Sequence, residues 1–257
     1  MMKNLLLTIF VISSGMNNIA LCQFSHFTNH GVIEYEKTVN MFALLKPTDA
    51  DNTFQKMFYD KYKETKPQFQ VLKSKLIFDT QKSLFTPVWE DNDKVNAGGW
   101  GGSNIGPQIN QVFTDLTTSN FTTKKKVFEE DFIVKDSVRK IDWKITSEVR
   151  EIAGYNCRRA NALIMDSVYV VAFYTDEIPV SGGPESFTGL PGMILGVALP
   201  NEHITWFATK ITDVPVADKE FVVPDNKKTK PINIKELKAK ISGIDEYFQK
   251  TLKSFLL

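Results

Sequence analysis

The chain has 257 residues, 42% of them apolar and 24% charged. That composition excludes a disordered or collagen-like chain and suits one large globular domain or two small ones. Lys and Arg total 31 against 30 Asp and Glu, and a net charge of +1 supplies no field that would recruit nucleic acid or an acidic membrane.

Met1 to Cys22 has the pattern of a secretory signal, with Lys3 as the charged start, Leu5 to Ser13 as the apolar stretch and Ala20-Leu21-Cys22 as the exit before Gln23. The apolar stretch is shorter than the roughly 18 residues a spanning helix needs, and no other segment comes close, so no transmembrane span is expected. Two outcomes stay open at Cys22: cleavage after it, or lipid modification on it, although large Leu21 stands where lipidation sites want a small residue. Cleavage leaves residues 23–257 as a single β-rich domain, exported to the periplasm or associated with the outer membrane. Cys157 is then its one thiol, so no internal disulfide can form and stability must come from the core.

Period-two alternation of apolar and polar residues, the mark of half-buried antiparallel strands, recurs through most of the chain. Gly31 to Phe42 is a first strand with one irregular step. Asp49 to Lys66 changes period: Phe54, Met57, Phe58 and Tyr62 lie three or four apart, which predicts an amphipathic helix capped by Thr48 or Asp49 and stopped by Pro67. Strands follow at Phe69 to Phe78 and Leu84 to Trp89. Asn92 to Pro107 is a loop around Gly98-Gly99-Trp100-Gly101-Gly102, either a hairpin tip or a contact finger carrying Trp100. No Gly-Lys-Ser/Thr follows, so it is no phosphate cradle.

Eight strands are expected between Ile109 and Ile211, with hairpin-sized links such as Ala153-Gly154 and Asp166-Ser167, so successive strands should pair as a meander. A sheet of about ten long strands cannot stay flat, because strand twist accumulates. The expected fold is therefore mainly β with α: a curved antiparallel sheet, a half-barrel, with one amphipathic helix near the N-terminus and another at Ile234 to Leu256. Both helices would fill the concave side. Lysines between Lys227 and Lys253 give the second helix a solvated basic face.

Ile178 to Met193 is the most heavily shaped backbone in the chain. Pro179, Gly182, Gly183, Pro184, Gly189, Pro191 and Gly192 place seven turn-formers in sixteen residues, against 25 Gly and Pro overall. Leu190-Pro191-Gly192-Met193 fits a type II turn delivering the chain into the strand Met193 to Leu199. Loops this long tend to be lids or binding loops. The alternative is a structural cap packing Phe187 and Leu190 over the sheet. The candidate contact residues are Tyr174, Asp176, Pro179, Gly183, Pro184, Phe187, Gly189, Leu190, Pro191 and Gly192, with Trp100.

Tyr174-Thr175-Asp176-Glu177-Ile178-Pro179, Gly183-Pro184, Phe187 and Gly189-Leu190-Pro191-Gly192-Met193-Ile194-Leu195 closely resemble the signature of the GLPGLI family of exported Bacteroidetes proteins, with Met193 in place of its second Leu. Gly154-Tyr155-Asn156-Cys157-Arg158-Arg159-Ala160 looks like a second element of that family. The resemblance implies an envelope protein without an assigned enzymatic activity, of a kind often encoded near TonB-dependent outer-membrane receptors. The curved sheet also looks like the LolA/LolB lipoprotein carriers, by analogy of shape.

Residues for chemistry are sparse. His26 and His30 lie four apart in a polar stretch without acidic or Cys partners, and His203 sits in a turn, so no metal or other cofactor is assigned. Two arginines beside Cys157 could lower its pKa, but a buried apolar thiol is the expectation. Thr175, Asp176 and Glu177 cluster at the mouth of the loop, yet adjacent carboxylates on a strand face opposite sides and make a poor catalytic pair. Glu129, Glu130 and Asp131 read as a solvated turn rather than a calcium site. No serine-hydrolase elbow or zincin motif occurs. The leading expectation is a non-catalytic envelope protein whose curved sheet and Pro/Gly-rich loop engage an apolar ligand or a protein partner. The alternatives are an accessory factor of an outer-membrane receptor, with the loop as docking surface, and a hydrolase with an unrecognised site near Asp176.

Overall fold

A computed structural model describes residues 27–47, 52–88, 110–127, 130–225 and 229–242. The signal-like segment, Trp100 with its glycines, and residues 243–257 lie outside them. The alternating stretches all become strands: β1 (Gly31–Asn40), β2 (Phe69–Phe78), β3 (Lys82–Val88), β4 (Gln111–Asp115), β5 (Asn120–Val127), β6 (Glu130–Ser137), β7 (Lys144–Ile152), β8 (Tyr155–Ile164), β9 (Val168–Thr175), β10 (Met193–Leu199) and β11 (Ile204–Thr212). They form one curved, unclosed antiparallel sheet in the order β6-β5-β4-β3-β2-β1-β11-β10-β9-β8-β7. The irregular step in β1 is a register shift against β11 between Glu34 and Tyr35.

Hairpin chemistry explains the local pairings. Ala153 and Gly154 both hold positive φ, the backbone that a tight β7–β8 turn requires, and Met165 and Asp166 do the same between β8 and β9. The expected simple meander is corrected at two places. β1 lies in the middle of the sheet and pairs with β11 as well as with β2. β6 and β7, consecutive in sequence, occupy opposite edges. The seven Cα steps from Ser137 to Lys144 reach about 25 Å, whereas a flat sheet would separate the two edges by about 48 Å at 4.8 Å per strand. The connection can be made only because the sheet bends and brings its edges towards each other. Ile141 and Trp143 of this crossover pack against the apolar cluster around Phe187 and Trp206.

The inner face carries Ile33, Tyr35 and Val39 of β1 and Ile204, Trp206 and Ala208 of β11, all buried. Ile77 and Leu84 of the opposite face are covered by Phe221. Helix α1 (Met41–Leu44) ends β1, capped by Asn40. Helix α2 (Thr53–Thr65) starts later than expected: Asn52, not Thr48 or Asp49, is the cap, and its side chain accepts from Gln55 N at 3.0 Å. α2 also does not fill the concave side. Tyr62 meets Phe42 edge-on, while Phe54 and Met57 are 70% and 63% exposed. Helix α3 (Ile234–Ser242) docks as expected, burying Leu237 and Ile241 against Val127, Phe132 and Val134. Its start is fixed by a reciprocal box in which Asn233 N donates to Glu236 Oε2 and Glu236 N to Asn233 Oδ1, at 2.9 and 2.8 Å. Among the described residues no helix is long and apolar enough to cross a membrane.

Candidate functional site

Residues 176–192, between β9 and β10, fold back onto the inner face. Apolar residues spaced through the loop drive this: Ile178, Val180, Phe187 and Leu190 are all buried, and Phe187 meets Trp206 edge-on at 5.9 Å. Backbone and side-chain bonds fasten the fold-back. Ile194 N donates to Gly182 O at 2.8 Å, Gly189 N to Ser181 Oγ at 3.1 Å, and Trp143 Nε1 of the crossover to Thr188 O at 2.9 Å. Tyr35 Oη donates to Ile194 O at 2.7 Å, and burial pushes its phenol well above the ordinary value of 10, so it stays a donor.

The glycines answer to close approach. A Cβ on Gly192 would sit 2.1 Å from Thr175 O, and one on Gly183 would sit 2.6 Å from Phe187 O. The expected type II turn is corrected: Gly192 holds φ +158°, not the value near +80° that such a turn needs, and Met193 N donates to Ile178 O rather than to Leu190 O. The loop's own strand-like pairing with Ile178 replaces the turn.

The candidate contact residues therefore separate into two groups. Tyr174, Gly183, Pro184, Phe187, Leu190 and Gly192 are buried, whereas Asp176, Pro179, Gly189 and Pro191 are exposed at the rim. Trp100 lies outside the described residues. Asp176 and Glu177 fall in a turn after β9 rather than on a strand, and both are exposed. Cys157 is fully buried, and burial foremost, with the negative charge of Glu177 adding to it, pushes its thiol up to about 12. That is the opposite of activation by its neighbouring arginines. His30 Nε2 lies 3.6 Å from Asp213 Oδ1 at the surface. Among the described residues no group of three metal-ligating side chains converges.

The loop, the crossover and strands β4–β6 enclose a cleft. One lobe, of about 510 Å³, is lined by Val112, Phe121, Thr123, Lys125, Arg139 and Ile234, among others. A second, of about 520 Å³, shares Thr114, Ser119, Val138, Arg139, Lys140 and Thr188 with the first and runs under Pro179, Val180 and Gly189 of the loop. The cleft floor continues into a buried polar cluster that the sequence did not single out. Lys37 and Lys125 are 3% and 2% exposed, and Glu185 is 4% exposed. Glu185 Oε1 lies 4.0 Å from Lys37 Nζ, and Glu185 Oε2 accepts from Asn110 Nδ2 at 2.7 Å. Lys37 Nζ also stands 4.8 Å over the Trp206 ring. Burial lowers the pKa of Lys37 against the attraction of Glu185. It takes Lys125 to about 8, with Glu185 opposing and Arg139 and Lys37 reinforcing the drop.

Strand register is the signal that could have found this cluster. Lys37 occupies the same parity in β1 as buried Tyr35 and Val39, and Lys125 pairs with buried Phe132. Chemically, the cleft offers an apolar wall and a floor rich in donors.

Residues 163–196, from the end of β8 through the loop into β10, match a family described as a protein of unknown function (Porph_ging). No curated protein matches the chain. Two crystal structures of PNGF-II, in space groups C2 and P21, share the fold with TM-scores of 0.51 and 0.50 at 15% and 16% identity. The superpositions cover 83% and 84% of this chain but 33% of the PNGF-II chain in each case, so this chain spans about a third of that protein's length. At such identities the likeness is one of fold alone.

Proposed function

We propose that this protein is a non-catalytic binding module of the bacterial cell envelope, exported by its N-terminal segment and related to the GLPGLI proteins. On this reading it holds a ligand in the cleft between the fold-back loop and strands β4–β6. The observation that carries the reading is the cleft itself, two joined lobes of about 510 and 520 Å³ on the face where a sheet of this size would otherwise bury its core. A binding rather than a catalytic role is supported by the fully buried thiol of Cys157, held far above the range of a nucleophile, and by the exposed, turn-borne carboxylates of Asp176 and Glu177. Native mass spectrometry of protein purified gently from its own envelope tests this. An added mass that survives native spraying and leaves on denaturation is expected; bare chain in every charge state would overturn it.

The exposed rim at Asp176, Pro179, Gly189 and Pro191 favours a second reading, an accessory factor that docks on an outer-membrane receptor through the loop. Pro191→Ser would then abolish co-purification of the receptor while leaving the melting temperature unchanged. Retained co-purification would remove the rim from that role.

A further inference from the structure

The inner face around the cleft holds buried polar atoms that have found no hydrogen-bond partner. They are Lys37 Nζ, Lys125 Nζ, Trp206 Nε1, Ser74 Oγ and Thr123 Oγ1. Native proteins leave few such atoms unpaired, and a group of them on one face calls for an explanation. Their chemistry is one-sided. An ammonium and an indole N–H can only donate, and a hydroxyl is free to do so. Glu185 is the carboxylate set among them, and it is already engaged by Asn110 and by Lys37. Asp136, which also lines the cleft, accepts from Ser137 N and from Ile234 N at the head of α3. Arg139 and Lys140 line the same cleft and add positive charge. Lys125 and Thr123 belong to both sets: they line the first lobe and carry unpartnered atoms.

Resting on the reading of the cleft as a ligand site, we infer that its ligand carries an anionic group, a carboxylate or a phosphate, seated on the Lys125 ammonium. Such a group supplies acceptor oxygens to donors left without a hydrogen bond, where the carboxylates of Glu185 and Asp136 are already engaged. It also adds negative charge beside a buried cation whose opposing carboxylate, Glu185, is shared with Lys37 and Asn110. Val112, Phe121, Val138 and Ile234 offer the rest of the ligand an apolar wall. Whether the anion belongs to an amphiphile or to a free ion is decided by the choice of probe.

The test is calorimetric titration of the full mature chain, refolded from denaturant to strip any bound molecule, with decanoate, with decanol and with inorganic phosphate. Decanoate is expected to bind at least tenfold more tightly than decanol. Lys125→Met should erase that preference and Lys125→Arg should keep it. Saturable phosphate binding that needs Lys125 would also support an anion seat, with a free ion as its source. Equal affinity for decanoate and decanol in the unmodified chain would overturn the inference without touching the wider binding role, and this comparison needs no variant to fold. Undiminished decanoate preference in Lys125→Met, or no saturable binding of any probe, would overturn it too. The mass-spectrometric result still decides the wider role separately.

Discussion

Replacing Lys125 by Met keeps the unbranched stem as far as Cε and removes the charged end from a site that is 2% exposed. An ammonium displaced from its ordinary 10.5 to about 8 is disfavoured in the folded chain. At about 1.4 kcal/mol per tenfold change in the proton equilibrium, that displacement amounts to about 3 kcal/mol. The sign follows from proton counting. Below about pH 8 the group is charged in both the folded and the unfolded chain, and the full cost is present. Between about pH 8 and 10.5 the unfolded chain binds more protons, so the stability of the native sequence rises with pH. Above that window the cost is gone. Cys157 acts in the opposite direction above its ordinary value of 9, because its folded pKa is raised, but it is common to both chains and cancels in their difference. Urea unfolding of ligand-free protein should therefore find Lys125→Met more stable at pH 7 by up to about 3 kcal/mol, with the gap closing by pH 10.5. A variant less stable at pH 7, or a gap that does not change with pH, would refute the reasoning, because it would mean that Lys125 is paired or solvated.

Gly192→Ala would place a methyl group 2.1 Å from Thr175 O at a positive φ, and should cost about 2–4 kcal/mol in urea unfolding; an unchanged midpoint would mean that the loop is not pinned there. Phe187→Ala removes a fully buried ring from its contact with Trp206 and should cost about 3–5 kcal/mol, whereas a surface docking residue would cost almost nothing. The Cys157 thiol, pushed up to about 12, should ignore a thiol reagent at pH 8 in the folded chain and react in full once urea unfolds it; prompt reaction in the native state would contradict its burial.

The alternation of side chains made all eleven strands and the curvature legible, because period two is a local property and each strand carries it independently. What escaped was long-range. Nothing between Ser137 and Lys144 distinguishes a crossover from a slack hairpin, since a short segment of mixed apolar and charged residues suits both; only the placement of β1 at the centre of the sheet separates β6 from β7. The loop was conspicuous in its Gly and Pro content, and one of its two readings, a cap packing Phe187 and Leu190 over the sheet, matches their burial; the bonds that fasten it were not legible. The pairing of Met193 with Ile178 joins atoms fifteen residues apart that no turn rule connects. The buried cluster was hidden for a different reason. Lys124-Lys125-Lys126 reads as a solvated run, and only the register against Phe132 turns the middle lysine inward. Glu185 likewise looked like an ordinary loop residue until the fold-back carried it under Lys37.

Lys125 is a buried cation whose opposing carboxylate, Glu185, is shared with Lys37 and Asn110. The direct measurement of its charge is the titration of the Lys125 side chain, followed by NMR of lysine labelled with carbon-13 at Cε and assigned through Lys125→Met. Lys37, Glu185 and Arg139, the charged groups that act on it, are kept intact. The bare protein should show a midpoint near 8, and filling the cleft with decanoate should move it up towards 10.5. A midpoint at the ordinary value with and without decanoate would contradict the account.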